Sequence, residues 1–348
     1  MSSTTEKKEK IANSIIELME KTGLPAWRCP WIFGARDLAF KGSEYNGVNA
    51  VITALARTAC GYKSRLWLTH TKIEALNGKT WTPSKTNGKG KGRWVKAEKT
   101  DDSTFAHTKK GSHGVPVIYW NWIQKKDANK NPMFKDDGTP VMIPLLKTYV
   151  VHNADNIENF DPTPFEPEIK DTGIDVGSCK DIEEKLLASY KNHPTVVHGG
   201  DRACYFPTLD QVSIPDCSQF SDVSKFASTL AHELAHSTGH ASRLKRKMSG
   251  IKGSSDYAFE ELVAEFTAAM VLGSLGIETM PSVENSAAYL KSWLEHLKQK
   301  PATLFDAITA AKKAAAMILN EKDDTPAEED EAEAEKAEES EQTTATAV

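Results

Sequence analysis

The chain has 348 residues, of which 39% are hydrophobic, and it carries a formal net charge of −5 at neutral pH. This length exceeds that of one ordinary domain, and the apolar content is sufficient to bury more than one core. Because no apolar stretch approaches twenty residues and the N-terminus lacks the hydrophobic region of a signal peptide, we expect no membrane partner and a cytoplasmic location.

The N-terminal half is predicted to mix helices and strands. Apolar residues recur at helical spacing over residues 5–21, and the sequence favours further helices over Val48–Ala59 and Thr71–Leu76. Val115–Ile123 and Leu145–Val151 are rich in β-branched and aromatic residues, which is typical of strands. Two stretches rich in Gly, Lys, Asn and Asp are predicted to be loops or a hairpin flap: residues 82–114 and 125–140.

This half is also strongly basic and rich in tryptophan. Residues 1–150 contain 25 Lys and Arg against 13 Asp and Glu, together with seven of the eight tryptophans. Binding of single strands needs cations along the phosphates and flat rings on which bases stack, although each tryptophan taken alone is more often a core residue. We predict that the exposed contacts to single-stranded DNA are Trp81, Lys89, Lys91, Arg93 and Trp94.

Three prolines within Asp161–Pro167 predict a linker between two domains, because proline cannot continue a helix or a central strand. We therefore expect a first domain over residues 1–160 and a second over residues 161–320. Residues 321–348 contain 12 acidic residues and 2 lysines. They are predicted to be a disordered acidic tail, in preference to a DNA-mimicking or partner-binding segment.

Several elements of the second half lead towards a reactive motif. A helix is predicted over residues 182–190, and strands over residues 195–198 and 202–206. Asp210–Ile214 alternates polar and apolar residues, and we predict that it is an edge strand along which a peptide substrate lies extended. Two terminal helices, or one, are expected over residues 285–320.

The motif is His-Glu-Leu-Ala-His over residues 232–236. Ser221 or Asp222 can cap the helix that carries it, and Gly239 can end that helix. The i, i+4 spacing places His232 and His236 on one helical face as metal ligands, and it leaves Glu233 free to act as a general base. This pattern predicts a zinc peptidase.

A catalytic zinc ion needs a third protein ligand. His240 is close in sequence, but on a continuing helix it would be displaced along the axis by about six Å per four residues. We interpret it as a polar residue of the helix end or of the substrate side.

The preferred third ligand lies on the next predicted helix, Asp256–Leu272. Glu261 and Glu265 share one face of this apolar helix, where buried carboxylates need a cation or good donors. Glu261 is therefore predicted to bind the metal, and Glu265 to accept a hydrogen bond from a histidine ring. Glu260 is interpreted as a solvated surface charge. The arrangement resembles that of the gluzincins, in which the second acid is an aspartate.

The five cysteines show no C-x-x-C pairing and are odd in number, so we expect reduced structural thiols. They occupy positions 29, 60, 179, 204 and 217.

Seven segments in the same order resemble the ArdC-type antirestriction proteins. They are Leu24–Trp27, Tyr45–Asn49, Gly61–Thr69, Tyr149–Ile157, Tyr205–Pro215, Thr229–Leu244 and Tyr257–Glu265. The resemblance implies an N-terminal single-stranded DNA-binding domain, a C-terminal zincin-like metallopeptidase domain and an association with conjugative plasmids and other mobile elements. The Lys- and Gly-rich stretch over residues 79–114 and the acidic tail depart from it.

We therefore expect an α+β protein of two domains that protects incoming DNA, with Zn2+ as cofactor and a peptide or protein as substrate. In addition to Glu233, Tyr257 is a candidate catalytic residue that would donate a hydrogen bond to the oxyanion. Two alternatives stay open. In one, the protein only coats DNA and its metal site is not catalytic; in the other, it is a general metallopeptidase whose basic half binds acidic protein. The intact Glu233 argues against a purely structural site.

Overall fold

The structure of the protein is a computed structural model, and it describes residues 4–22, 36–40, 42–77, 79–83, 92–96, 105–127, 131–135, 137–166, 177–248, 254–275, 277 and 297–322. None of the helices within these ranges is long and apolar enough to cross a membrane.

The elements of the first half are α1 (Thr4–Thr22), β1 (Leu38–Ala39), α2 (Gly47–Cys60), β2 (Leu66–Thr69), α3 (His70–Leu76), β3 (Lys79–Pro83), β4 (Gly92–Lys96), β5 (His107–Thr108), β6 (Val115–Gln124), β7 (Met142–Asn153) and β8 (Ile157–Glu158). Those of the second half are α4 (Cys179–Ser189), β9 (Thr195–His198), β10 (Cys204–Phe206), β11 (Gln211–Ile214), α5 (Val223–Ser237), α6 (Ser255–Ser274) and α7 (Ala302–Leu319). The mixed α and β content of both halves confirms the predicted class.

The first half is organised around a four-stranded sheet in the order β1-β2-β7-β6. The strands β6 and β7 form a long antiparallel hairpin in which Val115 pairs with Val151 and Gln124 pairs with Met142. Asn49 of α2 covers part of the outer edge of β6, because its side chain accepts a hydrogen bond from Ile118 N (2.8 Å) and donates one to Ile118 O (2.7 Å). Helix α2 ends at Gly61, whose φ of 67° lies in the left-handed region that glycine adopts without strain.

Part of the Lys- and Gly-rich stretch forms a separate two-stranded sheet, so the hairpin alternative for this region is confirmed. Strands β3 and β4 are antiparallel, with Trp81 directly opposite Trp94 and Thr82 opposite Arg93. The predicted DNA contacts Lys89 and Lys91 lie outside the described residues.

The second half contains a three-stranded sheet in the order β10-β11-β9. Strand β11 is antiparallel to β10 and parallel to β9. The prediction that Asp210–Ile214 is an edge strand is therefore wrong. The alternating pattern arises because one face of β11 is buried, with Val212 and Ile214 both fully buried, whereas hydrogen-bonded neighbours occupy both of its edges.

Helix α7 joins the cores of the two halves. One hydrophobic cluster contains Ile15 of α1, Leu55 of α2 and Val117 of β6 together with Leu304 and Ile308 of α7. A second cluster packs α4, β11 and α5 against α6 and the end of α7, where Ile318 is fully buried. The C-terminal helix therefore completes the core of the N-terminal half as well as its own.

Cys179 and Cys217 form a disulfide, with their Cα atoms 6.1 Å apart. The expectation of reduced thiols is therefore wrong for this pair. The sequence carried no signal for it, because the two residues are 38 positions apart and come together only when the start of α4 packs beside the short 3-10 helix that precedes α5. Cys60 and Cys204 are free and exposed.

Candidate metal centre

Helix α5 presents the two histidines of the motif on one face. Asp222 begins the helix, since its side chain accepts a hydrogen bond from Lys225 N at 2.8 Å. His232 Nε2 and His236 Nε2 lie 3.1 Å apart. Ring nitrogens that face each other at this distance can both bind one cation.

Glu261 of α6 completes a three-residue group. Its Oε2 lies 3.7 Å from His232 Nε2, and its Oε1 lies 3.7 Å from His236 Nε2. One ligand atom from each of the three residues lies within 4.8 Å of the others. Ligand atoms at about 2.1 Å from a tetrahedral ion are about 3.4 Å apart, so the two imidazoles and the carboxylate fit a divalent metal ion.

Glu260 is the residue whose environment differs most from the prediction. It is only 4% exposed, so its interpretation as a solvated surface charge is wrong. Its Oε1 lies 3.2 Å from His236 Nδ1, and Arg246 donates to both of its oxygens at 2.7 and 2.9 Å. Burial raises the pKa of Glu260, but the hydrogen bonds from Arg246 and His236 outweigh burial and lower it.

The sequence signal for this arrangement was weak. Glu260 and Glu261 are adjacent, so a helix must turn them about 100° apart, and only the packing partner decides which faces the histidines. Arg246 follows the end of α5, where a cation is favoured by the exposed carbonyls. There it donates to Ala235 O at 3.0 Å and to Thr238 Oγ1 at 2.6 Å.

Glu265 lies beside the other histidine. Its Oε1 is 3.7 Å from His232 Nδ1, which is the predicted side of that ring but is longer than a hydrogen bond. Each histidine thus has a carboxylate next to the nitrogen that faces away from Glu261, with the closer contact at His236.

Glu233 is 9% exposed, and its Oε2 accepts a hydrogen bond from Tyr205 N at 2.8 Å. Tyr205 is the middle residue of β10, which is an edge strand of the three-stranded sheet. The edge strand that contacts Glu233 is therefore β10, the neighbour of the strand that the sequence indicated. Burial raises the pKa of the nearby Cys204 thiol, and the charge of Glu233 raises it further.

A network of polar side chains fixes β10 against α5. Arg243 donates to Ser237 O at 2.7 Å and to Asp210 Oδ2 at 3.0 Å, and it also contacts Asp210 Oδ1. The hydroxyl of Tyr205 donates to Asp210 Oδ1 at 2.8 Å. These contacts tie the β10–β11 turn to the end of the motif helix, which holds Tyr205 N next to Glu233.

Tyr257 and His240 occupy different parts of the site. Tyr257 lies in the first turn of α6, one turn before Glu261, and its backbone N–H donates to the capping Ser254 Oγ at 3.2 Å. His240 lies in the turn after α5, where its Nδ1 is 2.8 Å from Ser242 Oγ. Among the described residues the metal-binding group does not include His240, which agrees with its interpretation as a helix-end residue.

Comparison with known proteins identifies both halves. Residues 5–152 match the N-terminal domain of the anti-restriction factor ArdC, and residues 183–312 match a zincin-like metallopeptidase domain. A DNA primase TraC of Escherichia coli is 30% identical over 320 residues, which are 88% of this chain but only 19% of the primase. The uncharacterized protein y4eC of Sinorhizobium fredii is 27% identical over 318 residues, and the match covers 89% of it.

The solved structures include the antirestriction protein ArdC of plasmid R388. Its metal-free form is 29% identical, superposes with a TM-score of 0.62 and is matched over 91% of this chain and 99% of that one. A Mn(II)-bound form of the same protein is 28% identical and also superposes with a TM-score of 0.62. The zincin-like domain implies a divalent metal at the histidine group. The chain belongs to the ArdC antirestriction family, with an N-terminal ArdC domain followed by a zincin-like metallopeptidase domain.

Proposed function

We propose that the protein is a zinc-dependent peptidase that binds single-stranded DNA and protects incoming mobile-element DNA in the cytoplasm. The observation that carries the proposal is the convergence of His232, His236 and Glu261 beside the buried Glu233. A structural metal site needs no general base, so a carboxylate held at this position favours catalysis. We assign DNA binding to residues 1–160 and peptide hydrolysis to residues 161–320, with residues 321–348 as an appended acidic tail.

The side chains of this site have distinct roles in the proposed reaction. His232, His236 and Glu261 hold the zinc ion, which supplies Lewis acidity when it is bound. Glu233 accepts a proton from the attacking water and delivers it to the nitrogen of the leaving amine. Tyr205 N–H keeps Oε2 of Glu233 in place. In the proposed reaction the other carboxylate oxygen of Glu233 transfers the proton. Tyr257 is proposed to donate a hydrogen bond to the developing oxyanion.

Substitution of Glu233 tests the peptidase proposal. Glu233→Ala should retain metal and DNA binding but lose cleavage of casein and of proteins bound to single-stranded DNA, because the proton acceptor is removed while the proposed metal ligands and the first half are unchanged. The surface variant Glu184→Ala is the matched control and should cleave at the wild-type rate. Cleavage by Glu233→Ala at the wild-type rate would contradict the mechanism, whereas absence of cleavage by the metal-loaded wild type would favour a protein that only coats DNA.

The DNA-binding proposal rests on the charge and the aromatic content of the first half, and on its match to the ArdC N-terminal domain. The full-length chain should bind single-stranded oligonucleotides with little sequence preference, more tightly than duplexes of equal length, and more weakly as salt concentration rises. Tryptophan fluorescence should be quenched if Trp81 and Trp94 stack on bases. Equal affinity for both DNA forms, or preferential binding of acidic proteins, would favour the alternative of a general metallopeptidase.

A further inference from the structure

Exposed hydrophobic side chains are concentrated on one hairpin of the N-terminal half. Of eleven large hydrophobic side chains that are exposed among the described residues, six lie between Val115 and Asn153: Tyr119, Met133, Phe134, Met142, Tyr149 and Val150. Among the elements whose side chains the structure describes, this hairpin at one edge of the main sheet therefore carries the most exposed large hydrophobic side chains, which is typical of a binding surface.

Three adjacent side chains of this hairpin have the chemistry of a stacking site. Tyr119 of β6 is directly opposite Lys147 of β7, and Tyr149 follows two residues later on the same face. The two rings are 52% and 42% exposed, their centroids are 6.3 Å apart and their planes meet at 73°. Because the rings are not stacked on each other, each leaves a face open to another flat group.

The charge along this hairpin and the residues before it indicates the class of ligand. Within described residues 105–151 there are six lysines, at positions 109, 110, 125, 126, 135 and 147, against the two acids Asp127 and Asp137. Lys147, between the two rings, is exposed. An apolar protein partner would gain nothing from this excess of positive charge. The acidic residues 321–348 of a second copy could pair with the lysines, but they contain no aromatic ring to stack on the tyrosines. A nucleic acid strand offers both phosphates for the lysines and unpaired bases for the rings.

We infer that Tyr119, Lys147 and Tyr149 form a surface, here called the tyrosine pair surface, on which bases of single-stranded nucleic acid stack while Lys147 contacts the backbone. The inference rests on the proposed single-strand binding and adds a site to it. The density of tryptophans is the stronger sequence signal, whereas Tyr119 and Tyr149 are brought side by side only by the register of β6 and β7.

Binding of fluorescein-labelled (dT)20 to the full-length chain, followed by anisotropy, tests the inference. Tyr119→Ala and Tyr149→Ala should each weaken binding about tenfold, and the double variant about a hundredfold, because each removes one stacking contact. Tyr119→Phe and Tyr149→Phe keep the ring and should bind within about twofold of wild type. Leu209→Ala removes an apolar side chain of the second half that is even more exposed, at 68%, and should have no effect.

Charge reversal gives an independent measurement. Lys147→Glu should reduce the slope of log affinity against log salt concentration by the amount expected for the loss of about one phosphate contact. Lys191→Glu changes the net charge equally in the second half and should leave the slope unchanged. Wild-type affinity in a folded double alanine variant would overturn the inference while leaving single-strand binding intact. If wild type itself does not bind (dT)20, both the inference and the proposed DNA binding fail.

Crosslinking covers the case in which an alanine variant does not fold. Oligonucleotides with 5-iododeoxyuridine, irradiated with the wild-type chain and mapped by mass spectrometry, should form adducts on Tyr119 or Tyr149. Adducts confined to the β3–β4 hairpin would overturn the inference.

Discussion

Glu260 and Arg246 show how a buried ion pair can serve a metal site. Both side chains are nearly inaccessible, at 6% and 10% exposure, and the same carboxylate contacts His236 Nδ1. A carboxylate in this position fixes the ring orientation and increases the basicity of the opposite nitrogen. Arg246 supplies the charge that keeps the buried carboxylate ionised, so we consider both to be positioning residues.

Removal of one partner should therefore affect metal binding and stability together. Glu260→Ala is expected to weaken metal affinity about 10- to 100-fold. It should also lower the free energy of unfolding by about 3–5 kcal/mol, because Arg246 is left buried without its partner. Isothermal titration with metal and urea unfolding measure the two effects.

The exposed pair of Lys180 and Glu184 on α4 is the matched control for this experiment. Glu184→Ala should cost less than about 1 kcal/mol, since a solvated ion pair contributes little. A double variant that also replaces Arg246 with Met should be less destabilised than Glu260→Ala alone. Equal metal affinity of Glu260→Ala and wild type would contradict the positioning role.

The choice of third ligand is decided by two further substitutions. Glu261→Ala should lower metal affinity sharply, because it removes one of the three proposed protein ligands. His240→Ala should leave it nearly unchanged, since the His240 ring is engaged with Ser242 in the turn after α5. The metal content after dialysis distinguishes them. Metal loss from His240→Ala, with retention by Glu261→Ala, would reverse the assignment.

At the scale of elements, local pattern predicted which segments are helices and strands but not which edges they present. The predicted helices over residues 5–21, Val48–Ala59 and Thr71–Leu76 are confirmed as α1, α2 and α3. The error over Asp210–Ile214 has a physical cause, because an alternating strand buries one face whether it is central or at an edge. Pairing partners distant in sequence decide between the two.

The packing partners of helix α7 could not be predicted from local sequence either. Its apolar residues predict a buried helix, but nothing local shows that its first half packs against α1 and α2 whereas its end packs against α4 and α5. The contacts span most of the chain length. The histidine motif was more predictable than the rest of the site, because its i, i+4 spacing is local, whereas Glu261, Arg246 and Tyr205 reach it only through tertiary packing.

Since α7 completes both cores, a cavity in its first half should destabilise the N-terminal half. Ile308 is 1% exposed and lies in the cluster that contains Ile15 and Leu55. Ile308→Ala should lower the free energy of unfolding by about 2–5 kcal/mol and should weaken single-strand binding at temperatures where the variant begins to unfold. Lys312→Ala, on the same helix but only half-buried, is the control and should change both little. If Ile308→Ala were as stable as the wild type, α7 would not contribute to the stability of the N-terminal core.

For the whole molecule, the two halves have different charges but one continuous packing arrangement. The first half carries the excess of lysine and arginine, yet its core is closed by helices that belong to the zincin-like domain. The proposed DNA-binding and metal-binding surfaces thus lie on two halves that share a hydrophobic cluster.

Asp37 makes the stability of this arrangement depend on pH. It is 1% exposed at the start of β1, and Arg57 Nε of α2 lies 2.8 Å from its Oδ1. Burial raises its pKa to about 6, although Arg57 partly offsets the effect. The folded state therefore binds a proton at Asp37 at a higher pH than the unfolded state, in which the pKa of Asp37 is near 3.8. The contribution of protonated Asp37 to stability is present in full below pH 3.8, and it is lost as pH rises through 6.

Comparison with Asp37→Asn isolates this contribution, because the amide does not titrate. Relative to the variant, wild type should gain about 2 kcal/mol in free energy of unfolding between pH 7.5 and pH 4.5. Urea unfolding of both proteins at the two pH values gives the difference, from which any pH-independent effect of the substitution cancels. Asp137→Asn is the control. Asp137 is exposed and hydrogen bonds from Thr139 lower its pKa, so in that comparison wild type should show no gain at acid pH. An unchanged difference between wild type and Asp37→Asn would mean that Asp37 has the same pKa in the folded and unfolded chains.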